Sequence, residues 1–149
     1  MSAFVTAGAG FLAAVLWFDL MFDVQVRGHD GPQLPEAALA SIAAYYRRVT
    51  TTAVPMSRLI ALVMLATLVA IVTEIATGEG PAWASWWSLA LAGVAIALAG
   101  GRIVPNAVRL GEQRDPADVQ SALARSIWRG HVLCLAAICG LLALQLAAV

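Results

Sequence analysis

The chain has 149 residues, of which 61% are hydrophobic and only 12% carry a charge. Soluble domains are about 45 to 50% apolar and about 25% charged, so this composition indicates an integral membrane protein of one domain. Nine arginines balance nine acidic residues, which leaves no excess charge to attract a nucleic acid. We therefore exclude nucleic acid as a partner and expect the lipid bilayer instead.

Four apolar segments are long enough to cross a bilayer, which takes about 20 residues of helix. They cover about 3–26, 55–77, 83–104 and 117–148. The first lacks the basic start of a signal peptide, so we expect it to be retained. The sequence predicts an all-α fold: an integral membrane four-helix bundle in a single transmembrane domain over residues 1–149.

Small residues at three- and four-residue spacing mark two of these spans, and this pattern favours close packing of helices. In the first and third spans they are Ala3, Ala7, Gly10 and Ala14, and Gly93, Ala97 and Gly101. We expect both stripes to form helix contacts.

A shorter segment, over about 35–49, repeats its apolar side chains at helical spacing but is too short to span. It predicts an extra amphipathic helix at the membrane interface between spans one and two, with Tyr45, Tyr46 and the following arginines at headgroup level. The alternative is a helix that runs straight into the second span and is kinked at Pro55.

Turn-forming residues mark the remaining connections. Glycine and proline at 78–81 predict a tight turn, and three tryptophans over 83–87 are typical of an aromatic belt. From Arg102 to Asp115 we predict a loop. Asp115 is then expected to cap the last helix, with Pro116 in its first position.

The nine arginines all fall on one side of this topology. They lie in or beside the connection between spans one and two and the connection between spans three and four. The termini and the 78–81 turn carry none. Because basic residues accumulate on the cytoplasmic side, we predict a multi-pass plasma-membrane protein with both termini outside the cytoplasm.

Two aspartates interrupt the first span. Asp19 and Asp23 are four residues apart and share one face of a helix. A charge inside a span costs roughly 2.5 to 3.5 kcal/mol and usually turns inward toward a partner or a site. We predict an inward role for Asp19. For Asp23, at the end of the span, an inward role and a position in headgroup water are equally open.

Polar side chains from all four spans or their ends are expected at the arginine-rich end of the bundle, where a small-molecule site can form. The candidates are His131 and Asp19 as catalytic groups, and Asp23, Arg58, Asn106 and Trp128 as substrate-binding groups. The alternative is a set of separate interfacial side chains with one structural Asp–Arg pair.

His131 is a lone histidine within a span, which suits a helix–helix hydrogen bond as well as a catalytic base. Haem held by two histidines is disfavoured because His29 lies in a loop. Two aspartates and a histidine form a conceivable metal set, but no further ligand spacing supports one. We predict no metal and no other cofactor.

The C-terminal third carries a resemblance to a known family. Pro105-Asn106 after the third span, followed by Trp128-Arg129-Gly130-His131 in the fourth, resembles the small four-helix membrane family of anthrone oxygenase-like proteins. The resemblance implies oxidation of polycyclic anthrones to quinones by molecular oxygen without a cofactor. It also implies that Asn106, Trp128 and His131 line the pocket.

Three classes of function follow. The first is a cofactor-independent oxygenase-like enzyme, in which His131 or an aspartate acts as base on an apolar aromatic molecule from the bilayer. The second is a non-catalytic accessory subunit, whose packing stripes fit a homo-oligomer or a larger membrane complex. The third is a proton- or cation-coupled transporter that uses the aspartates and Glu74. The enzyme ranks first because it explains the converging polar groups.

Overall fold

The computed structural model describes residues 2–148, apart from the side chains of Ser2 and Val54, and this part of the chain is helical without a β-strand. The six α-helices are α1 (Ser2–Asp23), α2 (Glu36–Arg47), α3 (Val54–Thr77), α4 (Ala82–Leu98), α5 (Val104–Glu112) and α6 (Ala117–Ala147). A 3₁₀ turn, Val24–Val26, extends α1, and π-helical turns, Arg48–Thr52 and Ala99–Ile103, precede α3 and α5.

Four stretches are long and apolar enough to cross a membrane: Ala3–Val26, Pro55–Thr77, Ala82–Glu112 and Ala117–Ala147. This confirms the predicted all-α membrane bundle. Large apolar side chains such as Leu62, Trp86 and Leu133 stay exposed on the outside. Lipid can solvate such a surface, whereas water cannot do so without cost.

The four long helices close into a ring in which each contacts two neighbours, in the order α1, α6, α4, α3 and back to α1. Val5, Ile71, Ile127 and Leu141 are fully buried between them. The short helices α2 and α5 pack on each other and on α6, and α2 also contacts α1. They close the arginine-rich end of the bundle.

The predicted amphipathic helix is present as α2, and protein covers its apolar face. Leu39, Ile42 and Tyr46 are buried against the bundle. The helix continues through the π-turn and breaks at Ala53, just before Pro55, which occupies the first turn of α3 where no amide donor is needed. The hydroxyls of Tyr45 and Tyr46 bond to carboxylates of α1, so both side chains turn toward the protein, and their predicted depth at the lipid headgroups stays a prediction.

The connection between α1 and α2 is fastened to α6. Arg125 donates to the carbonyl oxygens of His29, Gly31 and Pro32, at 2.5 to 3.2 Å. The backbone amide of Leu34 donates to the Ser121 hydroxyl at 3.0 Å. These bonds hold the connection so that α2 enters close to α6.

The loop predicted from Arg102 to Asp115 is wrong, since the chain stays helical to Glu112. Pro105 has no amide hydrogen for the preceding turn, and the wider π-turn ahead of it accommodates that loss. Asp115 makes no cap bond to α6. It accepts two bonds from Arg109, at 2.7 and 2.8 Å, and these hold the pKa of Asp115 below its usual value.

The two predicted stripes of small residues are mostly exposed, so they do not pack the helices of this chain against one another, and their contact with a helix of another chain stays a prediction. The exposed members are Ala3, Ala7, Ala14, Gly93, Ala97 and Gly101. Close approach occurs at other glycines. Gly8 faces the Thr67 side chain, and Gly111 of α5 lies against the backbone of Arg47 in α2.

We predict that Gly111→Ala weakens the contact between α2 and α5. A methyl group there would lie 2.9 Å from the Arg47 nitrogen and 3.0 Å from its Cα, so one helix must move. Such overpacking costs about 1 to 3 kcal/mol. Thermal unfolding of the purified protein measures the loss. Gly10→Ala is the control, because its added methyl group meets no atom within 4 Å; equal stability of the two variants would contradict the prediction.

Candidate active site

A buried hydrogen bond between Asp23 and His131 joins α1 to α6. The residues are 0% and 5% exposed, and Asp23 Oδ2 lies 2.6 Å from His131 Nδ1. An ionised carboxylate can only accept, so Nδ1 carries the hydrogen and donates it. In a neutral imidazole this leaves the lone pair on Nε2, the ring nitrogen opposite the bond. The pair therefore sets the tautomer of His131.

Tyr46 occupies the second oxygen of Asp23. Its hydroxyl donates to Oδ1 at 2.6 Å, and the Tyr46 hydroxyl oxygen also lies 3.4 Å from His131 Nδ1. Burial, followed by the nearby Asp23 carboxylate, raises the pKa of the Tyr46 phenol above its ordinary value. Tyr46 thus remains a protonated donor, and both oxygens of the fully buried carboxylate have a partner.

Asp19 has a tyrosine partner of its own. Tyr45 donates to Asp19 Oδ1 at 2.5 Å, and the Phe22 ring stacks on Tyr45 with a centroid separation of 4.0 Å. Burial and the Asp19 carboxylate raise the pKa of Tyr45. The other oxygen of Asp19, Oδ2, lies 3.8 Å from His131 Nε2. This separation is too long for a hydrogen bond but short enough for charge attraction.

A cavity of about 350 Å³, partly open to the outside, lies between the helices beside these groups. Its wall is mainly apolar, with Leu12, Met64 and Ile138 contributed by three of the long helices. Asp19, Tyr46 and His131 form a polar side of the same wall. Small-molecule sites have this composition and begin at about 300 Å³. Both predicted catalytic residues, His131 and Asp19, therefore lie at the cavity.

Arg58 does not join this cluster. Its side chain is exposed on α3, and no ion pair with an aspartate forms within residues 2–148. The Asp–Arg pair of the alternative interpretation therefore does not involve Arg58 or the aspartates of α1; the pair that forms joins Arg109 to Asp115. Position along the sequence placed Arg58 near the depth of Asp19, but depth does not determine which way a helix face turns. Hydrogen bonds from tyrosine and histidine side chains, instead of an arginine, offset the cost of burying the two aspartates.

Asn106 and Trp128 lie close to the site without lining the cavity. Asn106 donates to the Ser126 hydroxyl at 3.1 Å, and Arg102 donates to the same oxygen at 2.9 Å. Trp128 is partly buried against the hydrophobic core. The two hydrogen bonds join the π-turn before α5, and α5 itself, to α6. The predicted role of Asn106 and Trp128 in binding a substrate has no support from the position of either side chain.

Of the two positions predicted for Asp23, the structure shows the inward one. Tyr45 and Tyr46 were not predicted from the sequence as members of the site. One signal could have indicated them. Two acids within a span require hydrogen-bond donors. The amphipathic segment that follows the span contains two adjacent tyrosines, whose hydroxyls are such donors. Their pairing depends on the docking of α2, which sequence spacing alone does not specify.

The arrangement defines a multi-pass membrane protein with a buried aspartate–histidine pair beside an apolar cavity. Within the described part of the chain, no group of three His, Cys, Asp or Glu side chains is placed to hold a metal ion. Comparison with family models, curated proteins and solved structures finds no match to this chain. The conclusions on its chemistry therefore rest on the site.

We expect Asp23→Asn to destabilise the protein. Tyr46 and His131 both donate to the Asp23 carboxylate, and the NH₂ group of asparagine cannot accept a hydrogen bond from either of them. An unsatisfied buried polar group costs about 1 to 3 kcal/mol. Thermal unfolding of the detergent-purified protein should show this loss. Asp30→Asn, in the exposed connection after α1, should change stability by less than about 0.5 kcal/mol. Similar effects of the two substitutions would show that the buried bonds contribute little.

Proposed function

We propose that this chain is a membrane enzyme in which His131 acts as a general base on an apolar aromatic molecule. The observation that carries the proposal is the position of His131 on the wall of the 350 Å³ cavity, with Asp23 hydrogen-bonded to its Nδ1 from behind. A hydrogen-bonded carboxylate and imidazole at an apolar pocket is a recurrent arrangement for proton transfer. The exposed apolar surface of the spans suits a substrate that dissolves in the bilayer.

In the proposed first step, Nε2 of His131 accepts a proton from an acidic C–H or phenolic O–H of the bound molecule. Asp23 stabilises the resulting imidazolium through Nδ1, and Asp19, 3.8 Å from Nε2, adds a second negative charge. The apolar wall keeps water from the anion formed on the substrate. General-base catalysis of this kind contributes about 10²- to 10⁴-fold in rate.

The resemblance in the C-terminal third extends the proposal to an oxygenase-like reaction. Molecular oxygen is the oxidant, and the delocalised carbanion left by deprotonation is the reductant. Overall, a CH₂ carbon loses two hydrogens and gains one oxygen as a ketone, and the second oxygen leaves as water. The substrate itself supplies the electrons, so the proposed reaction needs no cofactor.

A non-catalytic accessory subunit is the second candidate, and one observation favours it. Gly93, Ala97 and Gly101 share an exposed face of α4 and the π-turn that follows it. Small residues at this spacing permit close approach of another helix, either from a second copy or from a larger membrane complex. This candidate leaves the buried pair and the cavity without a role, so it ranks second.

We predict that His131→Phe abolishes turnover by the folded fraction of the purified protein, and that it also lowers Tm because the buried Asp23 carboxylate loses one of its two donors. The assay is conversion of anthrone to anthraquinone in detergent under air, followed by absorbance. The variant loses the base, so its rate above the uncatalysed reaction should fall at least about 10²-fold. His29→Phe, in the exposed connection, is the matched control and should retain the rate. Undiminished turnover by His131→Phe would show that the histidine has no part in the reaction.

An inactive wild-type protein that co-purifies with a membrane partner would favour the accessory subunit.

We further propose that the protein lies in the plasma membrane with its arginine-rich end, and therefore the site, on the cytoplasmic side. The support is the arginine distribution of the sequence. A reporter that is active only in the cytoplasm should work when inserted after Gly31 or Glu112 and fail after Gly80. The reverse pattern would place the site at the outer face.

A further inference from the structure

A second buried carboxylate lies at the opposite end of the bundle. Glu74, in the last turn of α3, is 3% exposed. Its Oε2 accepts one long bond, at 3.4 Å, from the Gln145 amide, and its Oε1 forms no hydrogen bond within the described chain. No histidine, arginine or lysine forms an ion pair with Glu74 there. A buried charge compensated this weakly is costly unless a further group binds it.

Glu74 borders a small pocket between the Gly78–Pro81 turn and the end of α6. The pocket has a volume of about 100 Å³, room for a small ion with a few waters but not for an organic molecule of substrate size. Ser85 and Gln145, both buried, line it together with Glu79. All the polar side chains in its wall carry oxygen, and none carries sulfur or imidazole nitrogen.

We infer that this pocket binds a compact monovalent cation, with Glu74 Oε1 as its charged ligand and Ser85 as a neutral oxygen ligand. Hard cations prefer oxygen ligands, which excludes a site selected for soft metals. Glu79 in the same wall is exposed, so water screens its charge, and Glu74 is the carboxylate that is buried. A monovalent ion neutralises that one buried charge, where a divalent ion would leave a surplus. The Gln145 amide donates to Glu74 and, at 3.1 Å, to Ser88, which keeps the carboxylate oriented.

This site is separate from the one at His131. The two lie at opposite ends of the four long helices, and the cavity beside His131 shares no lining residue with the pocket at Glu74. An ion at Glu74 would join α3, α4 and α6 at the end where the α3–α4 turn closes the bundle. Binding should therefore stabilise the fold directly, whether or not the protein is an enzyme.

The experiment compares thermal unfolding of the purified wild-type protein in lithium, sodium, potassium, ammonium and choline chloride at equal ionic strength. A ligand that binds only the folded state stabilises it, so the best-fitting cation should raise Tm by about 3 to 6 °C over choline, which is too large for the pocket. Glu74→Gln should remove the difference between salts. Glu36→Gln, an exposed acid at the start of α2, should keep it.

A second variant covers the case in which Glu74→Gln fails to fold. Ser85→Ala keeps the carboxylate and removes one neutral ligand, so it should shift the cation response to higher concentration. Identical melting of the wild type in all five salts would overturn the inference. So would a stronger response to calcium or magnesium than to any monovalent ion. A dependence on pH alone, lost in Glu74→Gln, would show that the carboxylate takes up a proton rather than a metal or ammonium ion.

Discussion

The hydrogen bonds of Asp23 are the constraint on which the arginine-rich end of this bundle depends. A fully buried carboxylate in an apolar environment needs donors, and its two oxygens take them from two different helices, His131 of α6 and Tyr46 of α2. Each bond joins a different helix to α1. The association of α1, α2 and α6 is therefore specified by polar chemistry, while apolar packing between spans, which lipid can replace, is less selective.

This constraint also explains why α2 differs from an ordinary interfacial helix. Its tyrosines are adjacent in sequence, so on a helix they point about 100° apart, and each reaches a different aspartate. The aspartates are one turn apart on α1. A pair of neighbouring tyrosines on one helix thus matches a pair of aspartates on another, with Phe22 stacked on Tyr45 at the edge. The close approach of Gly111 to Arg47 then brings α5 against the other side of α2.

The buried acids at the two ends of the bundle differ in their hydrogen-bond donors and in the size of the cavity beside them. At the arginine-rich end, two carboxylates have three donors among tyrosine and histidine side chains, and a cavity large enough for an organic molecule lies beside them. At the other end, the buried carboxylate of Glu74 has one weak amide donor and borders a pocket of ionic size. The first arrangement is suited to moving a proton, because an imidazole with a fixed tautomer is present. The second has a carboxylate but no imidazole among the described residues that line its pocket, and it is suited to holding a positive charge.

Much of this could be predicted from the amino-acid sequence because it depends on period, length and composition. Apolar runs of spanning length determined the four membrane helices, and the four-residue spacing of Asp19 and Asp23 determined that they share a face. Tertiary structure alone decided the rest. The rotation of each helix about its axis turned Arg58 and the two glycine–alanine stripes outward, and the docking of α2 brought the tyrosines to the aspartates. These outcomes depend on contacts between residues distant in sequence, such as the 108 positions that separate Asp23 from His131, and no local pattern encodes such a pairing.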